Sequence, residues 1–432
     1  MKILIQNGRC INPATKTDHI CDIYVENHQI LDIGEHLSVP DDVNRIDASG
    51  QIIFPGFIDL HVHFRDPGQT QKEDLYTGSR AAAHGGFTSV FAMPNTNPVV
   101  DCPQVAEDIR KRSCEIGMVH LYQVGSLTIG MKGEELSDYD GMMDAGVIAF
   151  SEDGKSVMNS ALLRKAMRKL AGKHAVILDH CEDIDLVEGG VMNAGDRADS
   201  LGLKGISNAV ENIIVARDIM LAKETGAKLH LCHCSTKESA LFLKLAKEKG
   251  IKVSGEVCPH HFILTEEDIV DAKAAEYKMN PPLRSKEDRD ALEQGLSDGT
   301  FEAISTDHAP HTSKDKSRGF EGSPFGIVGL ETAASLTYTT LVLSNQISLM
   351  QMAEKMSYNP AQIAGINAGD LSVGKPADIT IFDPSVQYEI HASDFLGKAV
   401  NMPYENRKVA GRVTCTICNG AITYQDTTIG NK

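Results

Sequence analysis

The chain has 432 residues with a formal net charge of −17, and its length exceeds that of one ordinary small domain. The acidic excess argues against nucleic acids and anionic membranes as partners, and no apolar stretch is long enough to span a membrane. The N-terminus has no signal-peptide pattern and the ten cysteines are scattered, so we expect reduced thiols in a cytoplasmic protein.

Residues 1–53 consist of short runs of alternating apolar and polar residues separated by Gly and Asn, which predict antiparallel strands. The same pattern returns near the C-terminus, where Asn419-Gly420 joins two alternating runs and is a strong hairpin signal. We therefore predict that residues 1–53 and 372–432 form one small β domain, and that residues 54–371 form a second domain.

Residues 54–371 alternate short apolar runs with segments of helical period. Helical patterns cover 208–225, 235–249 and 286–296, and Ser235 precedes Glu238 at the spacing of a capping box. The strand candidates end near His63, Pro94, Val124, Ser151, His180, His233, Val257 and Thr306. About eight strand–helix units predict an α/β fold of the (β/α)₈ TIM-barrel type. The open doubly wound alternative is disfavoured because no G-x-G-x-x-G follows a strand.

The first barrel strand ends in Asp-Leu-His-Val-His-Phe-Arg-Asp-Pro-Gly, residues 59–68. His61 and His63 are two residues apart, so on a strand their side chains share a face and can bind a divalent metal together. Arg65 adds an anion-binding group where the strand ends. The plainer interpretation is a half-buried strand with two incidental histidines.

A TIM barrel gathers its functional residues at the C-terminal ends of its strands. Candidate ligands stand at several predicted strand ends: His61, His63, Asn95, Asp153, His180, His233 and Asp307. Four histidines and two aspartates exceed the four ligands that one ion takes, which favours two metal ions. Asp307 is the natural general base. Cys232 and Cys234 flank His233, and strand alternation predicts that both pack against the outer helices.

Residues 59–68 and 305–311 resemble the two signature segments of dihydroorotases, a branch of the amidohydrolase superfamily. Segments at 93–98, 179–183, 232–238, 277–284 and 324–331 resemble the class I bacterial form, and the resemblance extends over nearly the whole chain. It implies a zinc-dependent enzyme that reversibly cyclises N-carbamoyl-L-aspartate to L-dihydroorotate in de novo pyrimidine (UMP) biosynthesis.

The resemblance also implies roles for single residues. Two zinc ions would be bound by His61, His63, Asp153, His180, His233 and Asp307, and Asp307 would also be the general base. Substrate contacts would come from Arg65, Asn95, Asn280, His311 and the backbone at Phe325 and Gly326. Many relatives use a carboxylated lysine as the bridging ligand, so Lys155 stays an alternative to Asp153.

Two other functions stay open. Another cyclic amidohydrolase, of the allantoinase or hydantoinase type, would not need Arg65 and Asn95 for a ring carboxylate. An inactive scaffold partner of aspartate carbamoyltransferase would be expected to have lost metal ligands. The sequence also leaves open a homodimer, a requirement for a carbamoyltransferase partner, and whether the polar run 314–318 is a solvated loop or a lid.

Overall fold

The computed structural model describes residues 2–427. It begins with a sheet built from the alternating N-terminal runs. The strands are β1 (Lys2–Asn12), β2 (Thr17–Glu26), β3 (Gln29–Gly34), β4 (Asn44–Asp47) and β5 (Ile52–Pro55). β1, β2 and β3 pair antiparallel in sequence order, whereas β4 and β5 run parallel to β1.

The central part of the chain forms parallel strands. They are β6 (Phe57–Val62), β7 (Phe87–Ala92), β8 (His120–Gln123), β9 (Gly125–Ser126), β10 (Ala149–Ser151), β11 (Val176–Asp179), β12 (Met192–Asn193), β13 (Gly205–Ile206), β14 (Leu229–Leu231), β15 (Val253–Val257) and β16 (Ala303–Ile304). β12 and β13 pair only with each other, outside the barrel.

The other parallel strands close into a barrel. β6 pairs with β7 and β7 with β8, while β9 to β16 form a second run in the order β9-β10-β11-β14-β15-β16. β8 and β9 act as one barrel strand, since Val124 between them donates its N–H to Ala92. The barrel closes where Val62 bridges His308 in parallel. The predicted (β/α)₈ barrel is confirmed, with strand ends close to the predicted ones.

Helices follow most barrel strands. They are α1 (Leu75–His84), α2 (Pro103–Ile116), α3 (Tyr139–Asp144), α4 (Ser160–Leu170), α5 (Asp196–Leu201), α6 (Ala209–Thr225), α7 (Lys237–Glu248), α8 (Pro259–Ile263), α9 (Lys286–Asp298), α10 (Ser313–Lys316), α11 (Gly319–Gly322), α12 (Ala333–Thr337), α13 (Leu349–Ala353) and α14 (Asn359–Ala364). The three predicted helices correspond to α6, α7 and α9. The predicted cap of α7 is wrong by one residue: Thr236 caps it, while Ser235 bonds Glu211 instead.

The C-terminal strands return to the first sheet. They are β17 (Ile379–Glu389), β18 (Lys408–Cys418) and β19 (Ala421–Gln425). β17 pairs antiparallel with β5, which gives the order β19-β18-β17-β5-β1-β2-β3. The hairpin turn lies at Asn419 and Gly420, both with positive φ. The predicted boundaries of this domain stay a prediction, and its residues 1 and 428–432 lie outside the described residues.

Apolar side chains fill the interior of the barrel at its N-terminal end. Buried side chains from β6, β11 and β16, among them Ile58 and Leu178, pack together with Ala361 and Ala364 of α14. The Asn359 side chain donates to the Glu302 carbonyl just before β16, so α14 lies across the N-terminal opening. No helix within residues 2–427 is both long and apolar enough to cross a membrane.

Candidate active site and metal centre

Four imidazoles converge at the C-terminal end of the barrel. His61 and His63 leave the end of β6 with their ring centroids 5.4 Å apart. His233, just beyond β14, has its ring centroid 4.9 Å from that of His61 and 4.8 Å from that of His180. All four side chains are buried, so the sequence-predicted histidines form one cluster.

Asp153 lies at the centre of this cluster. Its Oδ1 is 3.1 Å from His61 Nε2, 3.4 Å from His180 Nδ1 and 3.6 Å from His233 Nε2. Its Oδ2 is 3.3 Å from His63 Nε2. Burial alone would raise the pKa of Asp153, but the imidazoles outweigh burial and hold this pKa well below its usual range. A carboxylate that reaches all four rings has the geometry of a ligand shared by two ions.

Asp307 follows β16 and completes the cluster. Its Oδ1 is 3.1 Å from His63 Nε2 and 3.6 Å from His61 Nε2. Its backbone has φ +48°, a conformation that non-glycine residues seldom adopt and that aims the carboxylate into the site. Burial would raise its pKa, but the neighbouring histidines lower it to about 2. Asp307 is therefore ionised at neutral pH, as a general base must be.

The donor atoms of the cluster fit divalent metal ions. His61 Nε2 and Asp153 Oδ1 are buried and lie 3.1 Å apart, yet neither has a hydrogen-bond partner within residues 2–427. Orphaned buried acceptors are costly unless something binds them. The ligand atoms of His61, His63 and Asp307 lie within 4.8 Å of one another, as do those of His61, Asp153 and His233. Imidazole and carboxylate sets of this kind suit zinc-class ions.

Glu256 is a functional candidate that the sequence analysis missed. Its Oε1 is 3.4 Å from His61 Nδ1, the ring nitrogen that faces away from Asp153. Its Oε2 is 2.9 Å from His230 Nε2 and accepts a hydrogen bond from Ser305. A carboxylate behind a ligating histidine fixes the tautomer and orientation of the ring. The signal available in the sequence was a carboxylate one residue before Val257, where a barrel strand was predicted to end; the structure shows that this Glu256 is fully buried in β15.

Glu182 has the corresponding position behind His180. Its Oε2 is 3.3 Å from His180 Nε2, and its Oε1 accepts a hydrogen bond of 2.8 Å from Asn280 Nδ2. Glu182 therefore joins a predicted metal ligand to a predicted substrate contact. It lies only two residues beyond His180, but strand alternation gives no reason to select it because β11 ends at Asp179.

A cavity of about 210 Å³ opens above the cluster. It is lined by His63, Arg65, Asn95, Asp153, Gly154, His180, His233, Asn280, Asp307, Ala309, His311, Phe325 and Gly326. Every sequence-predicted site residue is in this lining except His61, which is fully buried beneath it. A second cavity, of about 320 Å³, lies elsewhere, beside His84 and Arg412. The smaller cavity has room for a small molecule next to the metal ligands.

Arg65 and Asn95 both line this cavity. The Arg65 Nε donates to the Pro310 carbonyl at 3.3 Å, and burial lowers the arginine pKa to about 10, which still leaves it protonated at neutral pH. Asn95 Oδ1 is 2.9 Å from His63 Nδ1, and Asn95 Nδ2 donates to the Asp153 carbonyl at 3.2 Å. The same Nδ2 also donates to Asp153 Oδ2 at 3.4 Å, so Asn95 connects His63 to Asp153 at the edge of the cavity.

His311, Phe325 and Gly326 also line the cavity, and His311 Nε2 is 3.5 Å from Arg65 Nη2. His311 Nε2 is 2.7 Å from the Phe325 carbonyl, and the His311 backbone N–H donates to Asn401 Oδ1 at 3.0 Å. Burial lowers the pKa of His311 to about 2, so the ring is neutral. Gly326 has φ +126°, and a Cβ there would come within 2.7 Å of Ala309 Cβ, so this wall of the cavity requires glycine.

The polar run 314–318 is partly buried. Lys316 in α10 is 4% exposed, and its Nζ donates to the carbonyls of Ala275, Lys278 and Pro324. These carbonyls belong to the segments that precede Asn280 and Phe325. The run is therefore docked onto the two loops that carry predicted substrate contacts, and a purely solvated loop is the wrong description for it.

Lys155, the alternative bridging residue, and the two cysteines that flank His233 lie in three different environments. Lys155 is exposed and its Nζ donates to the Met131 carbonyl at 3.2 Å.

Cys232 packs in the barrel interior, whereas Cys234 packs on the outer side. The prediction that Cys232 faces outward is wrong because β14 ends at Leu231 and His233 has φ +33°, which breaks the strand alternation.

Known proteins resemble the chain in sequence and in fold. The Dihydro-orotase-like family profile matches residues 50–239. The chain is 43% identical to the dihydroorotase of Pelotomaculum thermopropionicum over 99% of this chain and 100% of the relative. It is 45% identical to that of Ligilactobacillus salivarius over 98% and 99%. The L-hydantoinase (dihydropyrimidinase) structure from Arthrobacter aurescens superposes with a TM-score of 0.87 at 24% identity, covering 98% of this chain and 96% of that one, which indicates a shared fold.

Proposed function

The chain belongs to the dihydroorotase family, and from this premise we propose that it interconverts N-carbamoyl-L-aspartate and L-dihydroorotate with two zinc ions per chain. The observation that carries the proposal is the contact of Asp153 with all four imidazoles beneath a cavity that also holds Arg65. A metal centre and a cationic group on one small cavity suit an acidic cyclic amide.

The ligands divide into two sets around Asp153. His61, His63 and Asp307 would hold one ion, and His180 with His233 the other, with Asp153 between them. The ligand atoms that face Asp153 are Nε2 of His61, His63 and His233 and Nδ1 of His180. When bound, the ions would lower the pKa of a water and polarise the substrate carbonyl.

Asp307 would move the proton. In the hydrolytic direction a water adds to the ring amide carbon and the bond from this carbon to the ring nitrogen breaks. The Asp307 carboxylate takes a proton from the attacking water and returns it to the leaving nitrogen. Its pKa of about 2 keeps it in the accepting form before each turnover. Ring closure uses the same steps in reverse and consumes one proton overall.

Arg65 would select the substrate by its carboxylate. A guanidinium forms two parallel hydrogen bonds with a carboxylate, and each charge-assisted bond contributes about 1.5–3 kcal/mol. The net charge of −17 means that no diffuse positive field replaces this group. Asn95, Asn280, His311 and the backbone at Phe325 and Gly326 would complete the binding of the ring.

The two alternatives explain the site less well. A hydantoinase-type enzyme acts on rings without a carboxylate and gives no role to the protonated Arg65 in the cavity lining. An inactive scaffold needs no metal ligands and gives no role to the buried cluster of His61, His63, Asp153, His180, His233 and Asp307. The dihydroorotase assignment uses both features.

A substrate comparison tests the assignment. Purified protein loaded with zinc should hydrolyse dihydroorotate and close N-carbamoyl-L-aspartate, with closure favoured at lower pH. Dihydrouracil and hydantoin should be poor substrates, and metal analysis should show that two of the ions bound per chain are lost in Asp153→Ala. Equal turnover of dihydrouracil and dihydroorotate would favour the hydantoinase type, and zinc binding without turnover of any ring would favour the scaffold.

The location and assembly of the protein are separate proposals. We propose a cytoplasmic enzyme, which is supported by ten free cysteines within residues 2–427. We also propose a homodimer that can associate with aspartate carbamoyltransferase. Light scattering of the protein alone and mixed with that enzyme measures both masses, and a monomer in each sample would refute both assemblies.

A further inference from the structure

Three potential metal ligands meet at the N-terminal end of the barrel, away from the active site. His120 is the first residue of β8, Asp378 immediately precedes β17, and Cys418 is the last residue of β18. His120 Nε2 is 3.1 Å from Asp378 Oδ1. One ligand atom from each of the three residues lies within 4.8 Å of the other two.

We propose that His120, Asp378 and Cys418 bind a thiophilic divalent cation of the zinc class, at a site distinct from the catalytic centre. Nitrogen, oxygen and sulfur are the three donor types of protein zinc sites. Bonds of about 2.0–2.3 Å place the ligands of a tetrahedral ion about 3.3–3.8 Å apart. The distance from His120 Nε2 to Asp378 Oδ1, 3.1 Å, is close to this spacing, and the Cys418 sulfur lies within 4.8 Å of a ligand atom of each, so side-chain adjustments of about 1 Å would enclose an ion.

The burial of the three ligands leaves one open coordination position. The side chain of Asp378 is 5% exposed and that of His120 is 34% exposed, while Cys418 is buried. The ion would therefore be covered on the protein side and reached by water beside the imidazole. Three protein ligands with one water is a common arrangement for zinc.

The charges around His120 favour a cation. Burial alone would lower the pKa of His120, but Asp378 and Cys418 outweigh it and raise this pKa to about 11. The Asn419 N–H also donates to Asp378 Oδ1 at 2.7 Å, which holds this carboxylate oxygen in position beside the imidazole. A protonated imidazole places one positive charge beside the carboxylate and the thiol. A divalent ion places two positive charges there and displaces the protons of the imidazole and the thiol.

The site would connect two parts of the protein. His120 belongs to the barrel, whereas Asp378 and Cys418 belong to the sheet formed by both chain ends. An ion held by both would tie the barrel to that sheet, independently of catalysis. The structure also gives a matched control, since Cys415 has a buried free thiol on the same strand but packs in the core of the sheet.

Cobalt substitution tests the thiolate ligand. A cobalt(II) ion bound to a thiolate absorbs in the near ultraviolet, whereas the ligands proposed for the active centre include no thiolate. We expect this band in the Co²⁺-loaded protein and in the Cys415→Ser variant, and its loss in Cys418→Ser. Cys232→Ser is the second control because the Cys232 thiol is near His61. An absent band, or one that depends on Cys232 rather than Cys418, overturns the proposal.

A metal count on a second variant covers the case in which Cys418→Ser folds poorly. Glutamine at position 120 can still hydrogen-bond Asp378, and the position is partly exposed, so His120→Gln should fold. We expect zinc-saturated His120→Gln to hold one ion fewer per chain than the parent, with unchanged turnover of dihydroorotate. An equal metal content in both proteins overturns the proposal. Because the comparison is between parent and variant, it does not depend on the proposed activity.

Discussion

The two ends of the barrel contain the same strands but different chemistry. At the N-terminal end, Ile58, Leu178 and residues of α14 form a closed apolar cluster. At the C-terminal end, buried imidazoles and carboxylates face one another, and His61 Nε2 and Asp153 Oδ1 have no hydrogen-bond partner in the described part of the chain. Burial of the apolar cluster stabilises the fold, whereas burial of the unpartnered polar atoms at the other end costs free energy. The contrast indicates that the packed apolar end fixes the strands, and that the fixed strands keep the residues at their C-terminal ends in position for a ligand.

A hydrogen-bonded layer separates the two ends. His230, Ser254, Glu256 and Ser305 point into the barrel and contact one another below His61. Burial would raise the pKa of Glu256, but His230 and His61 hold it well below its usual range. The charged end therefore rests largely on this polar layer, and it also meets the apolar cluster where the Cys232 thiol lies beside His61. We therefore expect substitutions at the C-terminal end, in the polar layer and at the N-terminal end of the barrel to have separable effects.

The largest effect is expected at the centre of the polar end. Asp153→Ala removes the carboxylate that reaches four imidazoles, and we expect the loss of bound metal and a decrease in turnover of about 10³-fold or more. Metal analysis and the rate of dihydroorotate hydrolysis measure both. Lys155→Ala is the control and should keep most of the activity. An inactive Lys155→Ala variant that short carboxylic acids restore would instead support a carboxylated lysine.

A smaller effect is expected at the wall of the cavity. Arg65→Ala should lower kcat/KM for dihydroorotate by about 100-fold while the metal content stays unchanged, because a bidentate carboxylate contact is lost. Arg65→Lys should recover only part of this loss, since an ammonium does not reproduce the two parallel bonds. Steady-state kinetics of both variants measures these changes in kcat/KM. If Arg65→Ala has the same kcat/KM as the parent, the carboxylate is bound elsewhere.

A still smaller effect is expected behind the ligands. Glu182→Gln keeps the size of the side chain but weakens the orientation of His180, and we expect about tenfold weaker binding of one metal ion. The KM should also rise, since Asn280 loses a charged acceptor. Competition with a chromophoric chelator measures the metal affinity. Glu188→Gln, at an exposed position nearby, is the matched control. Equal affinities in both variants would mean that Glu182 does not support the metal centre.

The smallest effect is expected at the apolar end. Ile58→Val removes one buried methylene group, and we expect it to lower the free energy of unfolding by about 1 kcal/mol. Because Ile58 is in the apolar cluster, kcat/KM should not change. Ile213→Val on the exposed face of α6 should have no measurable effect on stability. Denaturant unfolding and kinetics together test whether the ends are independent, and a reduced kcat/KM in Ile58→Val would show that they are coupled.

The barrel, and the convergence of most candidate site residues, could be predicted from the sequence for a simple reason. Strand period and strand ends are local properties, so His61, His63, Asp153, His180, His233 and Asp307 stand out once the strands are recognised. Glu182 and Glu256 do not, because their importance depends on partners from other strands. The docking of Lys316 depends on three carbonyls from distant loops, and the inward turn of Cys232 depends on the positive φ of His233.

Asn401 places a limit on how the protein can be divided. It lies between β17 and β18, yet its side chain accepts the His311 N–H and donates to the carbonyls of Ala309 and Gly326. The neighbouring Gly397 N–H bonds Glu331, so this connection is anchored on the barrel. The wall of the cavity above the imidazole cluster is thus completed by a segment that joins two strands of the outer sheet. Exchange of the sheet between homologues would have to include this segment, and a barrel expressed by itself would lack part of the wall of its candidate active site.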